Sequence, residues 1–260
     1  MSLLHIFLLS TIQGITEFLP VSSSAHLVLY NKFVIGLRSN LSLDIAMHIG
    51  SLMAVILLLA KTLRPTTSNI LIKDGIKKSV FFLVLATLPL VIMALFLEYA
   101  RLLDLSRQLE IIAFTNLVFA LLLFISDRKP SSRNFSDLTA SNVLVIGIWQ
   151  SFAVFPGTSR SGASITGARF LGYGRREAII ISTILSIPTM VISSAYIGFK
   201  FFNSPNKIEI EFTFYATIFS FIVSFLALKL FIKLGDVFSF TPYVIYRIFL
   251  GLALLIILYI

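Results

Sequence analysis

Apolar positions along this chain come in long blocks, not in the alternating or striped patterns of half-buried elements. Six blocks are long and apolar enough to span a bilayer: 43–60, 80–98, 109–126, 178–199, 212–232 and 242–260. A spanning helix needs about 20 mainly apolar residues. Charged or turn-forming residues bound each block. Lys61 to Arg64 closes the first, Asp127-Arg128-Lys129-Pro130 the third and Asn203-Ser204-Pro205-Asn206 the fourth.

Two more blocks are apolar but broken. Block 3–35 is interrupted by Pro20 and Ser22-Ser23-Ser24. Block 142–170 is interrupted by Pro156-Gly157 and then Thr158-Ser159-Arg160-Ser161-Gly162. Neither half of either block is long enough to span. Proline lacks a donor and disfavours helix in the residue before it. Non-helical backbone at membrane depth is tolerated only when buried in protein or lining a polar cavity. Each broken block therefore predicts a re-entrant pair of half-helices. The expected fold is all-α and polytopic, with about six transmembrane helices and two re-entrant pairs.

The broken blocks look related. Aligning Pro20 with Pro156 pairs Ser22 with Thr158, Ser23 with Ser159 and Ser24 with Arg160. Three spans follow each broken block, and an odd number inverts the second copy. The expectation is a single integral membrane domain, 1–260, holding an inverted repeat at about 1–126 and 140–260. Loop charge orients it. Lys61, Arg64, Lys73, Lys77 and Lys78 lie in 61–79, and Arg128, Lys129 and Arg133 in 127–141. Arg169, Arg175 and Arg176 lie in 169–177, and Lys229 and Lys233 near the last turn. All fall on one side, which the positive-inside rule makes cytoplasmic. The other side holds only Lys32, Arg38, Arg101, Arg107, Lys200 and Lys207. The first re-entrant pair then enters from outside and the second from the cytoplasm, with their tips meeting.

Composition agrees. Of 260 residues, 57% are hydrophobic and 13% charged, against about a quarter charged in soluble domains. There is no cysteine, which excludes disulfides and thiolate chemistry. The net charge is +9 without a run of five basic residues. That suits anionic headgroups or phosphates, and membrane lipids are the expected neighbours. No basic face is free of the apolar blocks, so nucleic acid is not an expected partner. The N-terminus does not read as a cleavable signal, because Gln13 and Glu17 interrupt its apolar run.

Chemistry concentrates at the breaks. Arg160 is a charge within an apolar block, a functional hypothesis by default. Small and hydroxylated residues surround it, and guanidinium forks bind phosphate bidentately. The bland alternative is an arginine that snorkels or caps a helix. Glu17 is the matching anion, with Gln13 one turn earlier on the same face. Together they could hold a divalent cation, a water or a proton. Alternatively, Glu17 simply pairs with Arg160. Ser23 and His26 share a face if a helix starts at the serines, as a nucleophile and its base would. Taken alone, an N-cap at Ser22 and a buried His26 explain them as well. Asp44 and His48 are four apart and could join the site. Arg247 follows Pro242 at a helix start and reads as interfacial.

The motifs are similar to those of a known family. Gln13-Gly-Ile-Thr-Glu17-Phe-Leu-Pro20-Val-Ser-Ser-Ser-Ala-His26 resembles the first signature of the bacitracin-resistance type of undecaprenyl-diphosphate phosphatase. Pro156-Gly-Thr-Ser-Arg160-Ser-Gly-Ala-Ser164 resembles the second, and Asp44-Ile-Ala-Met-His48-Ile-Gly50-Ser51 a third. The resemblance implies a multi-pass hydrolase of the bacterial inner membrane, acting at its outer face. It would convert undecaprenyl diphosphate to the monophosphate, recycling the lipid carrier of cell-wall precursors. It implies Glu17, Ser23, His26 and Arg160 as the catalytic group, with a divalent cation, Mg2+ or Ca2+, at Glu17. Gln13, Ser22, Thr158, Ser159 and Ser164 would bind substrate. Gln13 stands where many relatives have Glu, leaving one carboxylate where two are frequent. Ala25 replaces a frequent Gly, and Ser164 a frequent Thr. Ser23 with His26 as base, and water activated by Glu17 or His26, both fit. The rival reading is an inverted-repeat transporter or flippase of an anionic or lipid-phosphate substrate. Homo-oligomerisation is left open.

Overall fold

The computed structural model describes residues 2–30, 41–62, 76–103, 108–202 and 210–259. Of the loop charges discussed above, Lys32, Arg38, Arg64, Lys73, Arg107 and Lys207 lie outside the described residues, as does the last part of block 3–35.

The described residues are helical throughout, apart from turns and one isolated bridge between Arg133 and Tyr173. Ten α-helices occur among the described residues. They are α1 (Leu3–Thr16), α2 (Ser23–Tyr30), α3 (Leu41–Thr62), α4 (Ile76–Tyr99), α5 (Leu109–Asp127), α6 (Ala140–Ser151), α7 (Arg160–Phe170), α8 (Arg175–Phe202), α9 (Ile210–Leu234) and α10 (Thr241–Tyr259). Six of them, α3, α4, α5, α8, α9 and α10, are long and apolar enough to cross a membrane. These match the six unbroken blocks, so the chain is a multi-pass membrane protein. Pro89 and Pro188 sit inside α4 and α8 without ending them. Both broken blocks do break where proline and serine predict. α1 gives way to a turn at 17–22, and α6 to a short 3-10 turn at Phe152–Val154 followed by a loop to 159.

The two halves of the chain interlock. α1 packs on α9, and α6 on α4, so each short first helix lies against a span of the other half. α3 packs on α8, and α5 on α10, again across the halves. The largest apolar cluster accordingly mixes Val55, Leu58 and Leu123 with Ile146, Ile181 and Leu228. Facing outward, Leu95 and Phe114 are 65% and 66% exposed. Large apolar side chains at that exposure suit lipid, not water.

The α3–α9 seam is small and hydroxylated. Ser51 Oγ lies 2.9 Å from Ser220 Oγ and 2.8 Å from Ser224 Oγ. The Ser220 hydroxyl donates to the Met47 carbonyl at 2.7 Å. Gly50 lets the backbones meet, for a Cβ there would stand 2.3 Å from the Thr217 carbonyl. Small residues and hydroxyls are the usual means of close helix contact in lipid, where apolar burial gives little drive.

The basic loops gather at one end. Arg175 makes two bonds to the Asp127 carboxylate, 2.6 and 3.1 Å. Asp127 also accepts from the Phe240 N–H at 2.9 Å, which ties the start of α10 to the end of α5. Arg169 is buried and donates to the carbonyls of Asp127, Lys129 and Tyr173. Arg176 faces Asp236 at 3.6 Å. The 127–139, 170–176 and 234–240 connections therefore share one face of the bundle, as the charge pattern requires.

Replacing Gly50 with Leu should force α3 and α9 apart. Overpacking of this kind costs about 1–3 kcal/mol or more, and a lowered thermal unfolding midpoint in detergent would report it.

Candidate active site

The two breaks share a local form. α2 and α7 each start directly after a serine with φ of 69°, Ser22 and Ser159. Positive φ is uncommon outside glycine and persists where the surroundings hold it. Ser22 Oγ sits 3.2 Å from Ser24 Oγ, and Ser159 Oγ 3.1 Å from Ser161 Oγ. Ser159 Oγ also caps α7 by accepting from the Gly162 N–H at 3.1 Å. Matching the caps pairs Ser22 with Ser159, Ser23 with Arg160 and Ser24 with Ser161. This register differs by one residue from the proline alignment. The second break has one more residue between its proline and its helix, and Gly157 stands there at φ 95°. Matched positions thus carry different chemistry, a hydroxyl at Ser23 and a guanidinium at Arg160.

Those two side chains meet at Glu17, the first residue of the first turn. Arg160 Nη2 donates to Glu17 Oε1 at 3.1 Å. The Ser23 hydroxyl donates to Glu17 Oε2 at 3.0 Å, and Gln13 Nε2 donates to the same oxygen at 2.9 Å. The Glu17 and Arg160 side chains are only 9% and 12% exposed. Several polar atoms around them are buried without a partner: Arg160 Nη1, Thr158 Oγ1 and Gln13 Oε1. Buried polar atoms are nearly always paired. Two unpaired donors beside an ion pair mark where an anionic ligand would sit.

The other sequence candidates divide. Ser164 is fully buried, with its hydroxyl 3.0 Å from the Arg160 carbonyl and 3.2 Å from Gln150 Oε1. It supports the start of α7 from behind, as Ser159 does by capping. His48 Nδ1 lies 2.8 Å from the Asp44 carbonyl, within α3. The Ser23–His26 pairing suggested by their spacing is not made. Ser23 is the first residue of α2, and helical side chains lean toward the N-terminus, so its hydroxyl reaches back to Glu17. His26 Nδ1 bonds instead to the Ser22 carbonyl at 2.7 Å, and Nε2 lies 2.5 Å from the Tyr246 hydroxyl on α10. Nothing in the sequence marked Tyr246.

Arg247 is not interfacial. It is fully buried, five residues past Pro242, at the crossing of the two turns. Its Nη2 donates to the carbonyls of Gly157 and Thr158 at 2.9 and 3.0 Å, and Nη1 to Pro20 at 3.3 Å. Its Nε donates to Asn116 Oδ1 at 3.0 Å, and Asn116 returns a bond to the Arg247 carbonyl at 2.7 Å. None of these partners is a carboxylate. The signal in the sequence was the same one that marked Arg160, a lone charge in an apolar block. Proximity to Pro242 obscured it.

No group of three or more His, Asp and Glu side chains suited to a metal occurs among the described residues. The available donors are the Glu17 carboxylate and the partnerless Gln13 Oε1 beside it. Mg2+ typically takes one or two carboxylates, with phosphate oxygens and water completing the shell. The pair fits a cation that arrives with a phosphate ligand.

Residues 6–253 match the family model described as "Bacitracin resistance protein BacA". The chain is 39% identical over 268 residues to the undecaprenyl-diphosphatase of Jannaschia sp. (strain CCS1), covering 100% of both chains. It is 38% identical over 266 residues to that of Dinoroseobacter shibae, again covering 100% of both. To that of Aliivibrio salmonicida it is 36% identical over 263 residues, with 98% of each chain covered.

The Arg247 contacts make a stability prediction. Arg247→Met would leave three carbonyls and Asn116 without a donor, at about 1–3 kcal/mol per stranded group. The variant should unfold at clearly lower temperature in detergent, whereas Arg160→Met, after which Glu17 still accepts from Ser23 and Gln13, should lose less.

Proposed function

The chain belongs to the bacitracin-resistance protein BacA family, and from that premise we propose how its residues act on a lipid diphosphate. The reaction is hydrolysis of undecaprenyl diphosphate to undecaprenyl phosphate and inorganic phosphate. It returns the lipid carrier to cell-wall synthesis, and removing the diphosphate confers bacitracin resistance.

One observation carries the assignment of roles. Glu17 holds the Ser23 hydroxyl on one oxygen and Arg160 on the other, at 3.0 and 3.1 Å, while Arg160 Nη1 is buried and partnerless. The terminal phosphate is bound by Arg160 Nη1 and Thr158 Oγ1. Ser23 Oγ attacks the terminal phosphorus, and its proton passes to Glu17 Oε2. The bond from that phosphorus to the bridging oxygen breaks, and undecaprenyl phosphate leaves with the electron pair. Water then attacks the phosphoserine, its surplus proton passing to an oxygen of the phosphate that is released, and Ser23 Oγ departs as it recovers the proton from Glu17. The Arg160 guanidinium faces the charge that develops on the phosphoryl oxygens. Glu17 and Gln13 Oε1 would hold a divalent cation, Mg2+ or Ca2+, which supplies further charge neutralisation when bound. His26 serves the site through its bond to Ser22, not as the base for Ser23.

We also assign the two broken pairs as re-entrant, in an inverted repeat of about 1–126 and 140–260. Arg160 lies nine residues before Arg169 on α7, about 14 Å at ~1.5 Å per residue. Arg169 belongs to the basic end. The site is thus close to mid-depth of a hydrocarbon layer about 30 Å thick. With the basic end cytoplasmic in the inner membrane, the first pair opens outward and the substrate enters from the outer face. Transport has no observation of its own in its favour.

Arg160→Ala should lower kcat by about 10²–10³, the scale of removing one donor to developing charge in a dry site. Near-normal phosphate release by that variant would remove the clamp. Acid quenching during turnover of substrate labelled in its terminal phosphate should leave label on Ser23. An unlabelled Ser23, with Ser23→Ala still active, would assign the attack to water.

A further inference from the structure

His26 is the member of the candidate group whose partners lie away from Glu17. Its Nδ1 is 2.7 Å from the Ser22 carbonyl, which can only accept, so Nδ1 carries the proton. In the neutral ring Nε2 is then the acceptor. The Tyr246 hydroxyl, 2.5 Å away, is its donor. The two rings are parallel within 2°, with centroids 5.5 Å apart. Tyr246 is 46% exposed, so packing of the core does not require a tyrosine there.

The bonds form a chain. Tyr246 O–H donates to His26 Nε2, and His26 Nδ1–H donates to the Ser22 carbonyl. Ser22 holds the positive φ from which α2 starts, and the next residue, Ser23, gives its hydroxyl to Glu17. The neighbouring residue on α10, Arg247, holds the Pro20 carbonyl of the same turn. The first turn is therefore held from α10 directly at one carbonyl and, through His26, at a second two residues on.

We propose that Tyr246 is a positioning residue for the phosphatase reaction: it holds the orientation of His26 and, through the Ser22 carbonyl, the seat of Ser23. This rests on the hydrolase reading above.

Tyr246→Phe keeps the ring and removes only the donor. Phosphate release from undecaprenyl diphosphate should show kcat down about tenfold, the worth of one hydrogen bond, with KM little changed. In a His26→Ala background the same change should cost nothing further, since its route is gone. A second readout needs no turnover. The chain has three histidines, so imidazole ¹⁵N spectra of the solubilised protein can be assigned. His26 should show the Nδ1–H tautomer, fixed by the Ser22 carbonyl, in both proteins, with its unprotonated Nε2 resonance moved downfield in Tyr246→Phe, where the donor is gone. An unchanged kcat in Tyr246→Phe, or an equal loss in the His26→Ala background, would overturn the proposal. So would an Nε2–H tautomer in the wild type, which decides the matter even if the variant fails to fold. A wild type that releases no phosphate, yet shows the expected tautomer and the Nε2 shift in Tyr246→Phe, would overturn the hydrolase reading and leave the positioning contact standing.

Discussion

Helices broken inside an apolar body strand backbone carbonyls, and the structure depends on side chains that receive them. Six carbonyls of the two turns accept from side chains. Arg247 takes Pro20, Gly157 and Thr158. Ser161 takes Leu19 at 2.8 Å, Thr115 takes Pro156 at 2.6 Å, and His26 takes Ser22. An unmet carbonyl in a dry interior costs about 1–3 kcal/mol, so this set of donors is what makes the breaks tolerable. A guanidinium suits the centre of the set because its donors diverge in a plane and its charge is weakly hydrated. Arg247 meets three carbonyls and an amide with no anion beside it.

The two guanidiniums divide the work. Arg247 spends its donors on the fold. Arg160 spends one nitrogen on Glu17 and keeps Nη1 without a partner. Both turns use the same backbone device, a serine at positive φ followed by a helix start. The side chain at the first helical position then differs, Ser23 in one and Arg160 in the other. A near-symmetric scaffold thus places a hydroxyl opposite a cation, with Glu17 between them. The equivalent of Glu17 in the second half, four residues after Gln150 as Glu17 is four after Gln13, is the apolar Val154. The chemistry is one-sided because only one turn carries the acid.

Away from the site, the charged end is held by direct bonds and not by loose loop charge. Asp127 gathers Arg175 and the start of α10, while Arg169 closes over three carbonyls. These contacts anchor the ends of α5 and α7 and the starts of α8 and α10. Each of α5, α7 and α10 reaches the turns from that anchored end. A rigid base of this kind suits a site in which donor positions matter to a few tenths of an ångström.

The chain's own sequence determined the helices, the breaks and the charged end, because each follows from local physics. Apolar block length sets the spans, proline and serine set the breaks, and loop charge picks the side. It also marked Glu17, Ser23 and Arg160, since polar groups within apolar blocks carry a desolvation cost that needs a reason. It could not say who bonds to whom. Ser23 turned to Glu17 and left His26 to Tyr246, 220 residues away, because the lean of side chains on α2 and the approach of α10 are facts of packing. Arg247 looked like a helix-end cation and became the donor that closes both turns, since only the assembled fold brings Pro20, Gly157 and Thr158 to one point. The one-residue offset between the turns was hidden for a related reason: prolines were legible in the chain, but the caps that set the register are defined by backbone angles.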